Sequence, residues 1–164
     1  RTSEAKYLRI GSILELQNEG QDSPYVLWSR ERTKEVTAAN MTGAISTLIV
    51  PNIYGGVGSN SIIDLLLRKY KSNLFFELEK PFEFRDFLHI EHLFASIKDL
   101  MNKSDTSMKN IYVTTSGICY QVGSIQDYIY SGKSSELVSK EIDYPPYVSY
   151  SVYSDELANY IKNY

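Results

Sequence analysis

Cysteine is almost absent from this chain. Its 164 residues contain one, Cys119. A lone cysteine excludes an internal disulfide framework and points to a reducing, cytoplasmic compartment. Histidine is nearly as scarce, with His89 and His92 the only two. Together with Glu91 they invite a metal reading, since residues three apart share a helix face. A third ligand is not evident, so a structural role is favoured and no metal is assigned. No apolar run approaches the ~20 residues that span a bilayer, and no signal-peptide pattern opens the chain. Positive charge is not in excess: Lys+Arg number 17 against Asp+Glu 20, a formal net charge of -3. Nucleic acid and membrane are therefore not expected partners. The glycines Gly55-Gly56-Val57-Gly58 precede a helix signal at Ser59 but lack a P-loop lysine. No dinucleotide-binding fingerprint occurs anywhere in the chain.

What is present is a globular balance of 43% hydrophobic and 23% charged residues, suited to one compact domain with a real core. There are 14 tyrosines against one tryptophan. These fit a sugar- or nucleotide-binding surface, or, as the favoured reading, core and interface positions with a wet hydroxyl end. The chain begins with Arg1, so it reads as a fragment, a processed product or a trimmed chain.

The apolar pattern alternates between strands and helices. The apolar run Tyr7 to Ile13 reads as a strand ending near Gly11, and Gln17 to Pro24 as a loop. A helix starts at Ser23-Pro24, runs to about Asn40 and closes at Met41-Thr42-Gly43. Ala44 to Val50 is nearly all apolar or β-branched, as in a strand buried on both faces. Pro51 to Ser59 reads as a glycine-rich loop. Ser59 or Asn60 caps a helix through Ile62, Ile63, Leu66, Leu67 and Tyr70. Leu74 to Leu78 reads as a short strand and Glu83 to His89 as an extended segment. A helix follows from Ile90 to Asn102, then a polar loop over Lys103 to Lys109 and a strand at Ile111 to Thr114. A helix starts at Ser124. The tail carries a strand-like Tyr147 to Tyr153 and a short helix from Asp155 to Lys162. This order indicates an α/β fold.

Four stretches, in order, resemble the extended short-chain dehydrogenase/reductase family. Arg9-Ile10-Gly11-Ser12 is similar to the strand that ends in the family's catalytic serine or threonine. Ser23-Pro24-Tyr25-Val26-Leu27-Trp28-Ser29-Arg30 is similar to the segment with its catalytic tyrosine and lysine. Leu48 to Gly55 (LIVPNIYG) is similar to the strand and loop that close over the nicotinamide and the sugar. Arg85-Asp86-Phe87-Leu88-His89-Ile90 is similar to the signature of nucleotide-sugar epimerases and dehydratases. The resemblance spans essentially the whole chain but corresponds to the second half of a complete enzyme.

The resemblance implies the C-terminal part of a Rossmann-like doubly wound sheet plus a small mixed α/β substrate-binding lobe. Residues 1–52 would be the last part of the Rossmann-like domain. Residues 53–164 would be mainly the lobe, with some strands returning to the main sheet. It implies an NAD(P)-dependent epimerase, dehydratase or reductase acting on a nucleotide-linked sugar, feeding glycan or surface-polysaccharide synthesis. Tyr25 takes the proton-transfer role and Ser12 hydrogen-bonds the reacting oxygen. A free tyrosine has a pKa near 10, so a nearby cation is needed to favour its phenolate. The family's lysine position falls on Ser29, which carries no charge. Arg30 is adjacent but about 100° further round the helix. Asn52, Tyr54 and Arg85 fall at substrate-binding positions and Pro51 at a cofactor-binding one. Arginine suits a diphosphate because its fork bonds two oxygens at once; the alternative is a surface arginine paired with Asp86 or Glu83. The complete enzyme would use NAD or NADP and form a homodimer through the helix after Tyr25. The 164-residue chain alone is expected to bind neither cofactor and to be inactive. The alternative reading is a non-catalytic binding or scaffold protein derived from the family.

Overall fold

The computed structural model describes residues 7–16, 23–39, 45–56, 58–102, 111–142, 149–153 and 156–164. They fall into two compact units. The first comprises Arg1–Pro51, Phe94–Thr114 and Tyr144–Ser151, and the second Asn52–Leu93, Thr115–Asp143 and Val152–Tyr164.

The first unit is built on parallel strands. β1 (Tyr7–Ser12) pairs with β2 (Ile45–Val50) in register from Tyr7↔Ile45 to Ser12↔Val50. β2 pairs in turn with β5 (Ile111–Thr115) from Thr47↔Ile111 to Ile49↔Val113. Parallel neighbours need a crossover, and α1 (Pro24–Ala39) supplies it between β1 and β2. The Ser23 hydroxyl accepts from Val26 N–H, so the helix starts at the expected cap. The β-branched run does bury both faces of β2: Thr47, Leu48 and Ile49 are at most 1% exposed. Ile49 and Val113 form a small core with Ile13, Leu16 and Ile111.

The second unit holds a mixed sheet in the order β3-β4-β6-β7. β3 (Asn52–Tyr54) runs parallel to β4 (Phe84–His89), with Asn52 beside Phe87 and Tyr54 beside His89. β6 (Ile118–Gln121) is antiparallel to β4 and to β7 (Ser139–Glu141). α2 (Ile62–Lys71), α4 (Val122–Tyr130) and α5 (Leu157–Asn163) complete the unit. Its core joins Tyr54, Ile63, Leu66, Phe87, Ile125, Ile129, Leu157 and Ile161, each at most 1% exposed. α3 (Ile90–Asn102) and β8 (Ser149–Val152) run through both units.

Several expectations are corrected. The α2 cap is Ser61, not Ser59 or Asn60, because its hydroxyl accepts the Asp64 N–H. The Pro51–Ser59 loop begins as β3, since β4 offers it a ladder. Leu74–Leu78 is not a strand. Side chains of α4 take its carbonyls instead: Tyr130 donates to Leu74 O and Gln126 to Phe76 O. α4 starts at Val122, ahead of Ser124, because Glu83 O and Pro81 O accept the N–H groups of Val122 and Gly123. β6 and β7 are strands that the apolar pattern does not predict. The expected loop at 103–109 and the closure at 41–43 lie outside the described residues, as do 17–22 and 147–148.

Candidate functional site

In the first unit the chemistry gathers around one buried acid. Ser12 ends β1, and a single 3-10 turn over Ile13–Leu16 brings Glu15 back beneath it. The Glu15 side chain is 2% exposed and pairs with Arg9 at 3.1 Å. Its Oε1 accepts from Ser12 N–H at 2.8 Å and from Ser29 Oγ at 2.5 Å. Thr33 also donates to it. Arg9 donates in addition to Thr33 Oγ1 at 2.6 Å and to the Ser29 hydroxyl and carbonyl, both at 3.1 Å. The Arg30 Nε donates to Glu15 O at 3.1 Å. Burial alone would raise the Glu15 pKa, but the bonds from Arg9, Ser29, Thr33 and Ser12 together hold it below the ordinary value. Gly11 makes the arrangement fit: a Cβ there would stand 2.7 Å from Glu15 Oε1 and 2.8 Å from an Arg9 nitrogen.

The expected catalytic residues are therefore placed unevenly. Ser12, Ser29 and Arg30 all bond Glu15, which is not among the sequence-predicted site residues. Ser29, at the lysine position, is 2% exposed. Its hydroxyl is committed to an ion pair of zero net charge. Tyr25 lies in the first turn of α1 and is 55% exposed. Pro51 is buried at the end of β2.

In the second unit, strand alternation on β4 separates two neighbours. Asp86 is 4% exposed and accepts from Thr115 Oγ1 at 2.6 Å, Ser116 Oγ at 2.6 Å and Ser116 N–H at 3.2 Å. Arg85 points the other way and pairs with Glu83, its Nε 2.9 Å from Glu83 Oε2. Both side chains stay over a third exposed, at 36% and 38%. Asn52 is half-buried and donates to Asp86 O at 3.0 Å. Tyr54 is 1% exposed, and its ring meets His89 and Tyr160 edge-on at 5.2 and 5.0 Å. His92 stacks on Tyr153 at 4.9 Å and approaches Glu156 at 3.5 Å. Among the described residues no three His, Cys, Asp or Glu side chains converge as a metal set, and no helix is long and apolar enough to cross a membrane. Cys119 is no activated nucleophile: burial and the nearby Asp86 charge push its thiol up to about 11.

The parallel β-α-β arrangement gives the chain a Rossmann-like α/β fold. Solved structures share this fold. A GDP-D-glycero-L-gluco-heptose synthase of Campylobacter jejuni, CJ1428, solved in the presence of NADPH, superposes with a TM-score of 0.60 at 14% identity, over 96% of this chain and 67% of that one. Bordetella bronchiseptica WbmG, in complex with NAD and UDP, gives 0.60 at 16% identity, over 92% and 49%. Thermus thermophilus UDP-glucose 4-epimerase, in complex with NAD, gives 0.60 at 11% identity, over 94% and 58%. At these identities the likeness is one of fold. The chain spans about half to two thirds of the length of those structures. No protein-family model and no curated protein matches the sequence.

Proposed function

We propose that this chain is the substrate-binding portion of an NAD(P)-dependent epimerase, dehydratase or reductase that acts on a nucleotide-linked sugar. The observation that carries the proposal is the division of labour on β4. Asp86 faces inward as a structural hub, while Arg85 keeps a partly exposed guanidinium paired, among the described residues, with Glu83, an exposed partner that a diphosphate can displace. Fold likeness to enzymes solved with NAD and with UDP supports it. In this reading Arg85 and Asn52 meet the ligand, and Tyr54 anchors their neighbourhood from within the core. Ser12 would hydrogen-bond the reacting oxygen and Tyr25 would move the proton. When bound, a nicotinamide cofactor supplies hydride transfer.

The residues present do not fit that cofactor on their own. No glycine fingerprint is available to receive a pyrophosphate at a helix N-terminus. Ser29, where a lysine would hold the nicotinamide ribose, is buried and bonded to Glu15 and Arg9. The reading further includes a homodimer through α1, a cytoplasmic location and a role in polysaccharide synthesis. Calorimetric titration of the chain tests it. Weak, salt-sensitive binding of UDP or GDP, with none of NAD or NADP, is the expected result. Tight NAD binding, or no response to either diphosphate, would overturn it.

A further inference from the structure

We propose that Tyr160 is a positioning residue for the turn after β3, acting through the buried carboxylate of Asp64. The proposal rests on the reading that this turn, which follows Asn52 and Tyr54, serves a nucleotide-sugar ligand. Asp64 is 4% exposed in the first turn of α2. Three donors from different parts of the second unit converge on it. Tyr160 of α5 gives its hydroxyl to Oδ1 at 2.8 Å. Ser61 gives its hydroxyl to Oδ2 at 2.6 Å. Gly55 gives its backbone N–H to the same oxygen at 3.3 Å. Gly55 has φ +88, and a Cβ there would overlap the His89 ring, so glycine alone suits this close turn.

The Tyr160 ring reinforces the same link, lying 5.0 Å from Tyr54 and 5.6 Å from His89. α5 is itself held fast, since Leu157 and Ile161 on either side of Tyr160 are buried at 0% and 1% exposure. Burial, with the Asp64 hydrogen bond, raises the Tyr160 pKa, so the phenol stays protonated and remains a donor. A buried carboxylate needs its donors. Loss of one leaves Asp64 to re-aim, and Gly55 is the longest and most easily released of the three contacts.

The test compares Tyr160→Phe with Ile161→Val, which trims the same helix without touching Asp64. Asp64→Asn serves as a second probe of the hub. The readouts are the Gly55 amide resonance, its hydrogen-exchange rate, and the affinity for UDP and GDP. Tyr160→Phe is expected to shift the Gly55 resonance, speed its exchange about tenfold and weaken diphosphate binding several-fold, effects of the size of one hydrogen bond to a charged group. Ile161→Val is expected to leave all three unchanged. An unmoved Gly55 amide in Tyr160→Phe overturns the proposal, as does unchanged diphosphate affinity beside a shifted amide. A wild-type chain that binds neither diphosphate defeats the functional reading, and the Gly55 amide then decides the positioning by itself.

Discussion

Arg85 and Cys119 illustrate how far single side chains can be argued. The Arg85–Glu83 pair is more than a third exposed on both sides, so it is worth only about 0–1 kcal/mol to the fold. Arg85→Ala should accordingly leave the melting temperature nearly unchanged while removing most UDP or GDP binding. Arg85→Lys should restore part of it, because a point charge replaces a two-pronged contact. Calorimetry beside thermal melts checks both. Cys119 makes the opposite case. Its thiol is raised from an ordinary value of 9.0 to about 11, which lowers the thiolate fraction near pH 8 by about a hundredfold. Alkylation by iodoacetamide at pH 8 should be slower than for the unfolded chain by that order. The sign for stability follows: the native state holds this proton more tightly, so its contribution is full below pH 9 and fades as pH rises towards 11.

Strand β1, the turn after it and helix α1 form a device that depends on one glycine and one ion pair. Breaking a buried pair by removing one partner costs about 3–5 kcal/mol, so Glu15→Ala should sharply lower the melting temperature. Gly11→Ala forces a methyl onto Glu15 and Ile49 and should cost about 1–3 kcal/mol. The pH dependence carries the same signature. Glu15 titrates below its ordinary 4.5 in the folded chain, so its stabilisation is present above that pH and is lost as pH falls through the folded value. Glu15→Gln should flatten the acid limb of a stability-against-pH curve. An acid limb equal to wild type would show that the carboxylate contributes nothing.

For the molecule as a whole, association is the accessible question. α1 exposes Leu27 at 54% and Trp28 at 57%, with Arg32 above the Trp28 ring at 5.8 Å. Interfaces favour aromatic and arginine side chains of this kind. The proposed homodimer should appear in light scattering as a mass that doubles with concentration, and Trp28→Glu should abolish the doubling without lowering helix content. A strictly monomeric mass at high concentration would remove the homodimer from the reading.

Local pattern made much of this protein legible. The run or period of apolar residues marked β1, β2, α2, β4 and α3, because burial of one face or of both faces is written directly into neighbouring positions, and the Ser23-Pro24 start signal marked α1. The arginine-aspartate-phenylalanine run was legible too, though not that Arg85 and Asp86 face apart with opposite tasks. Tertiary structure decided the rest. Glu15, Asp64 and Asp86 each have apolar neighbours in sequence, which is the one local sign that an acid is buried, but each also takes a donor from far along the chain. Ser29 is 14 residues from Glu15, Ser116 is 30 from Asp86 and Tyr160 is 96 from Asp64. β3 and β6 became strands because β4 offered them ladders, and Leu74–Leu78 failed to become one because α4 claimed its carbonyls. A hydrogen bond binds whichever partner the fold brings within about 3 Å, and no local pattern encodes that meeting.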